Sequence, residues 1–173
     1  MAERQPGLGA INGERLRTRL SHAARAPGIT AVSHHSAAYL HGLVNRPPRF
    51  VHVLALRGSH PSRRPDVIVH HTRALDPGAV VYIDGVPVTD LPSTVVMMAA
   101  YATVDETKAM IRAAIATALT LDELRAVAES RRRRGRAGPS QLLHVLSSAD
   151  ILRPPKRLEA PAMNCLRRTG SQP

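Results

Sequence analysis

The hydrophobic pattern changes period twice along this chain. In "GERLRTRLSHAARA" (13–26), Leu16 and Leu20 stand four apart among arginines, the spacing of a short amphipathic helix. Pro27 and Gly28 close it. "SHHSAAYLHGL" (33–43) predicts a second short helix, with Ser33 as N-cap and Gly42 as stop. The period then drops toward two. "FVHVLAL" (50–56) and "DVIVHHT" (66–72) read as strands around a basic loop, and "AVVYI" (79–83) and "VPVT" (86–89) flank Asp84-Gly85, a strong hairpin signal. Pro87 offers no backbone donor, which predicts that its strand lies at a sheet edge.

After residue 90 the helical period returns. "DLPSTVVMMAAYA" is apolar, with Pro92 in its first turn. Thr103 with Glu106, and Thr120 with Glu123, have capping-box spacing and predict helices over about 104–118 and 121–133. Pro139 starts a last helix, "PSQLLHVLSSA". The expected class is α+β: a small, mostly antiparallel sheet of three to four strands followed by three to four helices. One domain is expected over 13–149, with loose tails over 1–12 and 150–173.

Composition narrows what such a domain can do. Aromatic residues make up 2% of the chain and Trp is absent, so the core must be aliphatic. A platform for stacking single-stranded bases is not expected. Against 13 acidic residues stand 24 Lys and Arg, a net charge of +11, which favours polyanionic partners and DNA first. Only Lys108 and Lys156 are lysines, so a GC-rich genome would also give this balance. The cations form two groups: Arg57, Arg63 and Arg64 on one loop, and Arg131, Arg132, Arg133, Arg134 and Arg136 at a helix end. Each group suits phosphate contact; the second serves equally as a solvated hinge. The single Cys165 allows no internal disulfide. No apolar run is long enough for a membrane span, and the N-terminus has no apolar signal core. The expectation is a cytoplasmic protein without membrane contact.

Catalytic chemistry finds little support at this level. On a helix, His34 and His41 would sit about 10 Å apart along the axis, too far for one metal with bonds of about 2 Å. His35 points elsewhere, and the segment holds no acid. His70 and His71 would point to opposite sheet faces, against a shared ligand site. Asp105, Glu106, Asp122, Glu123 and Glu129 stand at helix starts or on helix surfaces, where capping explains most of them. No catalytic residue, metal site or cofactor is expected.

The motif order is similar to that of the bacterial AbiEi-type antitoxin superfamily. "AVSHHSAAYLHGL" resembles its "S-H-x-S-A-A-x-L-x-G-L" signature, "RFVHVLALRG" its next strand and basic loop, and "VIVHHTRALDPGAVVYIDGVPVT" its following stretch through a "G-[IL]-P-V-T" hairpin. The resemblance runs from about residue 12 to about 148. It implies a part in a type IV toxin–antitoxin system, countering a nucleotidyltransferase toxin without a stable complex and binding operon DNA. The family usually carries a winged helix before this region, and many relatives carry a small nuclease domain after it; neither is expected here. The family's Arg and Asp after the hairpin are replaced by Ser93 and Met97, while Thr89 and Thr94 match. The resulting expectation is a non-catalytic, antitoxin-like regulator touching DNA phosphates through its arginines. The alternative is a truncated relic or scaffold without activity of its own.

Overall fold

The computed structural model describes residues 8–117, 119–133, 137–148 and 151. The elements run α1 (Leu8–Ala24), β1 (Ile29–Val32), α2 (His34–Leu40), β2 (Val51–Leu56), β3 (Val67–Thr72), β4 (Val80–Ile83), β5 (Val86–Thr89), α3 (Leu91–Ala99), α4 (Val104–Ala116), α5 (Leu121–Ser130) and α6 (Ala137–Leu146). The class is α+β, as expected. The sheet is larger and more mixed than the sequence suggests: five strands in the order β3-β2-β1-β5-β4.

Strand β1 is the element that the period reading misses. "ITAV" is β-branched but only four residues long, held between Gly28 and the Ser33 cap. It nevertheless lies at the centre, antiparallel to β2 and parallel to β5. Strands β2 and β3 are parallel, with Val51 opposite Val67 and Leu56 opposite Thr72. The loop 57–66 must therefore travel back along the whole strand. A six-residue strand is about 20 Å long, and ten extended residues reach about 33 Å, so no crossover helix is needed.

Pro87 lies in an internal strand, not at an edge. Asp84 and Gly85 have φ of 50° and 75°, the positive values of a two-residue type I′ turn. Such a turn makes Ile83 and Val86 the hydrogen-bonded pair, so Tyr82 opposite Pro87 is a non-bonded pair. The missing donor thus faces away from β4. On its other side β5 meets β1 through a single register pair, Val32 with Val88.

Helix α1 begins at Leu8, so residues 8–12, expected in the N-terminal tail, are helical. A glycine costs a helix only about 1 kcal/mol, and Gly9 and Gly13 do not stop this one. At the other end Ile151, expected in the disordered tail, is buried in the helical core; residues 152–173 lie outside the described residues.

Two aliphatic cores form. One lies between α1 and the sheet face that carries Val51, Val53 and Val88, with Leu16 and Leu20 from α1. The other is enclosed by α3–α6, around Val95, Ile111, Leu124 and Leu142. Helix α2 is the wall between them: Ala37 belongs to the first core and its neighbour Ala38 to the second. Small side chains on both sides let backbone approach from two directions. Gly138 does the same for α6. A Cβ there would strike the Val96 carbonyl oxygen and press on Ala100.

Candidate functional site

The expected arginines do not form one patch. Arg57 donates its backbone N–H to the Thr72 carbonyl at 2.8 Å, at the far end of the β2–β3 ladder. Arg64 accepts from the Val67 N–H at 3.2 Å, at the near end. The two are separated by the length of β3, on the order of 20 Å. Arg64 is partly neutralised by Asp66, 3.4 Å away, which also takes Arg19 at 3.6 Å. Arg57 and Arg63 are exposed and make no ion pair among the described residues. Continuing the register that places Leu56 opposite Thr72 puts Arg73 beside Arg57. Arg73 is likewise exposed and without an ion pair among the described residues. It stands alone in the sequence, so charge runs do not reveal it; only the parallel pairing does. Beside the loop lies an open cleft of about 640 Å³, lined by Ser59, His60, Pro61, Arg63, Arg64, Pro65 and the β3 residues Val67, Val69 and His71.

Of the three described arginines of the second group, two have side-chain partners within the fold. Arg131, at the C-cap of α5, donates to the Ser93 hydroxyl at 2.6 Å. Ser93 thus receives a guanidinium from another helix. Arg132 pairs with Glu129 at 3.7 Å on the surface. Arg133 is exposed. Arg134 and Arg136 lie outside the described residues.

The histidines behave otherwise than their spacing suggests. His34 and His41 are indeed apart: His41 Nε2 lies 2.7 Å from the Thr89 carbonyl oxygen, where its ring N–H donates. His70 and His71 do occupy opposite faces, His71 in the cleft and His70 beside His52. Yet His34, His52 and His70 converge from three elements. His52 Nδ1 and His70 Nε2 are 2.9 Å apart. The His34 and His70 rings stack with centroids 3.6 Å apart and planes 18° from parallel. The Tyr101 ring, in the turn between α3 and α4, stands edge-on to His34 at 5.6 Å. His35 approaches His52 with centroids 5.4 Å apart. Reading each histidine within its own helix or strand conceals this group, because parallel pairing of β2 with β3 brings His52 and His70 together as diagonal neighbours.

The backbone holds the cluster tightly. Ser33 is the N-cap of α2, but its hydroxyl makes no capping bond. It meets His34 Nδ1 instead, at 2.9 Å. The Ser33 N–H donates to the His52 carbonyl and the His52 N–H donates to the Ser36 hydroxyl, both at 2.9 Å. The first turn of α2 thus grips His52 from both sides. His34 itself has φ of 49°, a left-handed conformation that costs an L-residue about 1–2 kcal/mol.

Burial, and then the neighbouring rings, disfavour charge throughout the group. Burial and, after it, the charges of His70, His52 and His35 push His34 down to about 3. Burial, then His70 and His35, push His52 down to about 4. Burial, followed by His35 and His71, lowers His70. All three are neutral at pH 7.

The contact between His52 and His70 is a hydrogen bond in its geometry. Their centroids are 5.2 Å apart and their planes 17° from parallel, while the nitrogens are 2.9 Å apart. The difference matches one ring width, so the rings meet end to end in a common plane with their nitrogens aimed at each other. Two ligands of one metal with bonds of about 2 Å need more room when they face each other end-on. Among the described residues, no three His, Cys, Asp or Glu side chains are arranged to hold a metal ion.

A further buried lock joins β5 to α3. The Thr89 and Thr94 hydroxyls are 2.8 Å apart, and the Thr94 hydroxyl also lies 3.0 Å from the Thr89 carbonyl. Both residues are fully buried. They close the corner between sheet and helices. No protein-family model matches this chain, and no curated protein matches it.

Proposed function

We propose that this chain is a non-catalytic, antitoxin-like regulatory module that grips the phosphate backbone of DNA through the arginines around the β2–β3 connection. The observation that carries the reading is the parallel β2–β3 register, which, continued one residue past Leu56 and Thr72, brings Arg57 and Arg73 to adjacent strand ends, both exposed and without an ion pair among the described residues. Arg63 supplies a further cation near the opposite end of the strand. The length of β3, on the order of 20 Å, lets the two ends reach phosphates that lie several base pairs apart along the duplex axis, where the rise is about 3.4 Å per base pair. Exposed guanidinium groups bind phosphates without reading sequence. The net charge of +11 adds long-range attraction.

Within this reading Arg131 is a structural residue and Arg57, Arg63 and Arg73 are the contacts, with Arg64 and Arg133 secondary. The toxin–antitoxin role comes from the resemblance of sequence motifs alone. Fluorescence anisotropy with a short duplex at several salt concentrations tests the DNA contact. Affinity should fall steeply with salt, and each of Arg57→Ala, Arg63→Ala and Arg73→Ala should reduce the log–log salt slope by about 1. Arg131→Ala should lower stability and leave the slope unchanged. No binding at low salt, or binding indifferent to salt, removes the DNA reading.

A further inference from the structure

The phosphate-contact reading makes no use of the imidazole cluster, which sits where sheet, α2 and the α3–α4 turn meet. We propose that the His34, His52 and His70 rings form a proton-sensitive latch, which fastens the β2–β3 edge to α2 and the α3–α4 turn when neutral and releases it on acidification.

The geometry supplies the mechanism. The end-to-end contact of His52 and His70 at 2.9 Å has room for one proton between the nitrogens. A neutral pair fills it with one N–H and one lone pair. When both rings are imidazolium, two N–H groups point at each other and the bond becomes a repulsion. His34, stacked on His70 at 3.6 Å, is neutral at pH 7 and accepts a second cation on its face only at a cost.

The surroundings offer little compensation. From α2, His34 and His35 face the cluster; from β2, His52; from β3, His70, with His71 adding like charge from the other sheet face. The α3–α4 turn contributes the neutral ring of Tyr101. Helix α4 contributes Glu106, within electrostatic reach of His35, but its carboxylate is held by the Thr103 N–H and hydroxyl at 2.8 and 2.9 Å. Of the two strands in the cluster, β3 is the better placed to let go. It is an edge strand whose single strand neighbour is β2, and local opening is easiest where few neighbours hold a segment.

The test is amide hydrogen exchange on the full chain at pH 7.5 and pH 5, expressed as protection factors so that the intrinsic pH dependence cancels. Protection of residues 67–72 should fall about thirtyfold more than that of β1 and β5, since a histidine neutral in the closed state and free at about 6.5 in the open state favours opening by about that factor at pH 5. His70→Gln keeps a hydrogen-bonding end without a titrating ring and should remove most of the difference. Equal loss in β1, β5 and β3 would mean global acid unfolding and overturn the latch; so would unchanged protection of β3. Should His70→Gln fail to fold, NMR titration of the wild-type histidine rings decides. Rings of His52 and His70 titrating independently at the ordinary value of about 6.5 would reject the proposal, and coupled, depressed titration would sustain it.

Discussion

The caps of α4 and α5 and the junction with the sheet satisfy their polar groups in opposite ways. In α4 and α5 the caps are local: Thr103 with Glu106 and Thr120 with Glu123 each close a reciprocal box within three residues. At the junction the partners are far apart in sequence: His52 with Ser36 and His70, His41 with Thr89. Local caps survive as long as their helix does. Long-range contacts exist only while two separate elements keep their register. The helical half should therefore tolerate acid and single polar substitutions, and the junction should respond to both.

The largest expected effect would break that contrast from the helical side. Gly138→Ala places a methyl group against the Val96 carbonyl, where α6 meets α3. Overpacking of this kind costs about 3 kcal/mol. Urea denaturation measures it, and an unchanged midpoint would show that α6 shifts freely on α3. The helical half would then be looser than its caps suggest.

Acid acts on the junction next. His34 has a folded value of about 3 against about 6.5 for a free histidine. The unfolded chain therefore binds the proton first, and stability falls as pH drops below about 6.5, the loss being complete only near pH 3. At pH 5 the His34 contribution alone is about 2 kcal/mol, with the sign of destabilisation. Urea midpoints at pH 7 and pH 5 check it, and His34→Ala should reduce the difference without abolishing it, because His52 and His70 are also lowered. The two exposed caps change in another range, because Glu106 and Glu123 are held below the ordinary carboxylate value chiefly by the N–H groups of Thr103 and Thr120. Their contribution is retained at pH 5 and lost only in stronger acid.

Smaller effects sharpen the contrast. Thr94→Val keeps the shape but removes the partner of the buried Thr89 hydroxyl, at a cost of about 1–2 kcal/mol. Thr103→Ala removes an exposed local cap and should cost about 1 kcal/mol. Measured by thermal denaturation, the order Thr94 above Thr103 is expected. The reverse order would mean that the corner between β5 and α3 relaxes without its hydroxyl pair.

Much of the helical half is legible in the sequence. The capping boxes, the place of Pro92 in the first turn of α3 and the Asp84-Gly85 hairpin are each encoded within four residues, by side chains that meet their own backbone. The sheet is less legible. β1 is too short for a period to emerge, and Pro87 points to an edge because its missing N–H looks like a defect in any ladder. Both depend on which strand lies alongside.

The amino-acid sequence by itself determined the α+β class, the aliphatic cores, the caps, the hairpin and the excess of arginine, since composition and short-range spacing carry all of these. Tertiary structure alone decided that β2 and β3 run parallel, that Arg131 is committed to Ser93, and that three histidines from α2, β2 and β3 converge into one group, His34 stacked on His70 and His52 end to end with it. The physical reason is register. A shift of one residue between strands turns every side chain to the other face, and nothing within a single strand specifies its neighbour.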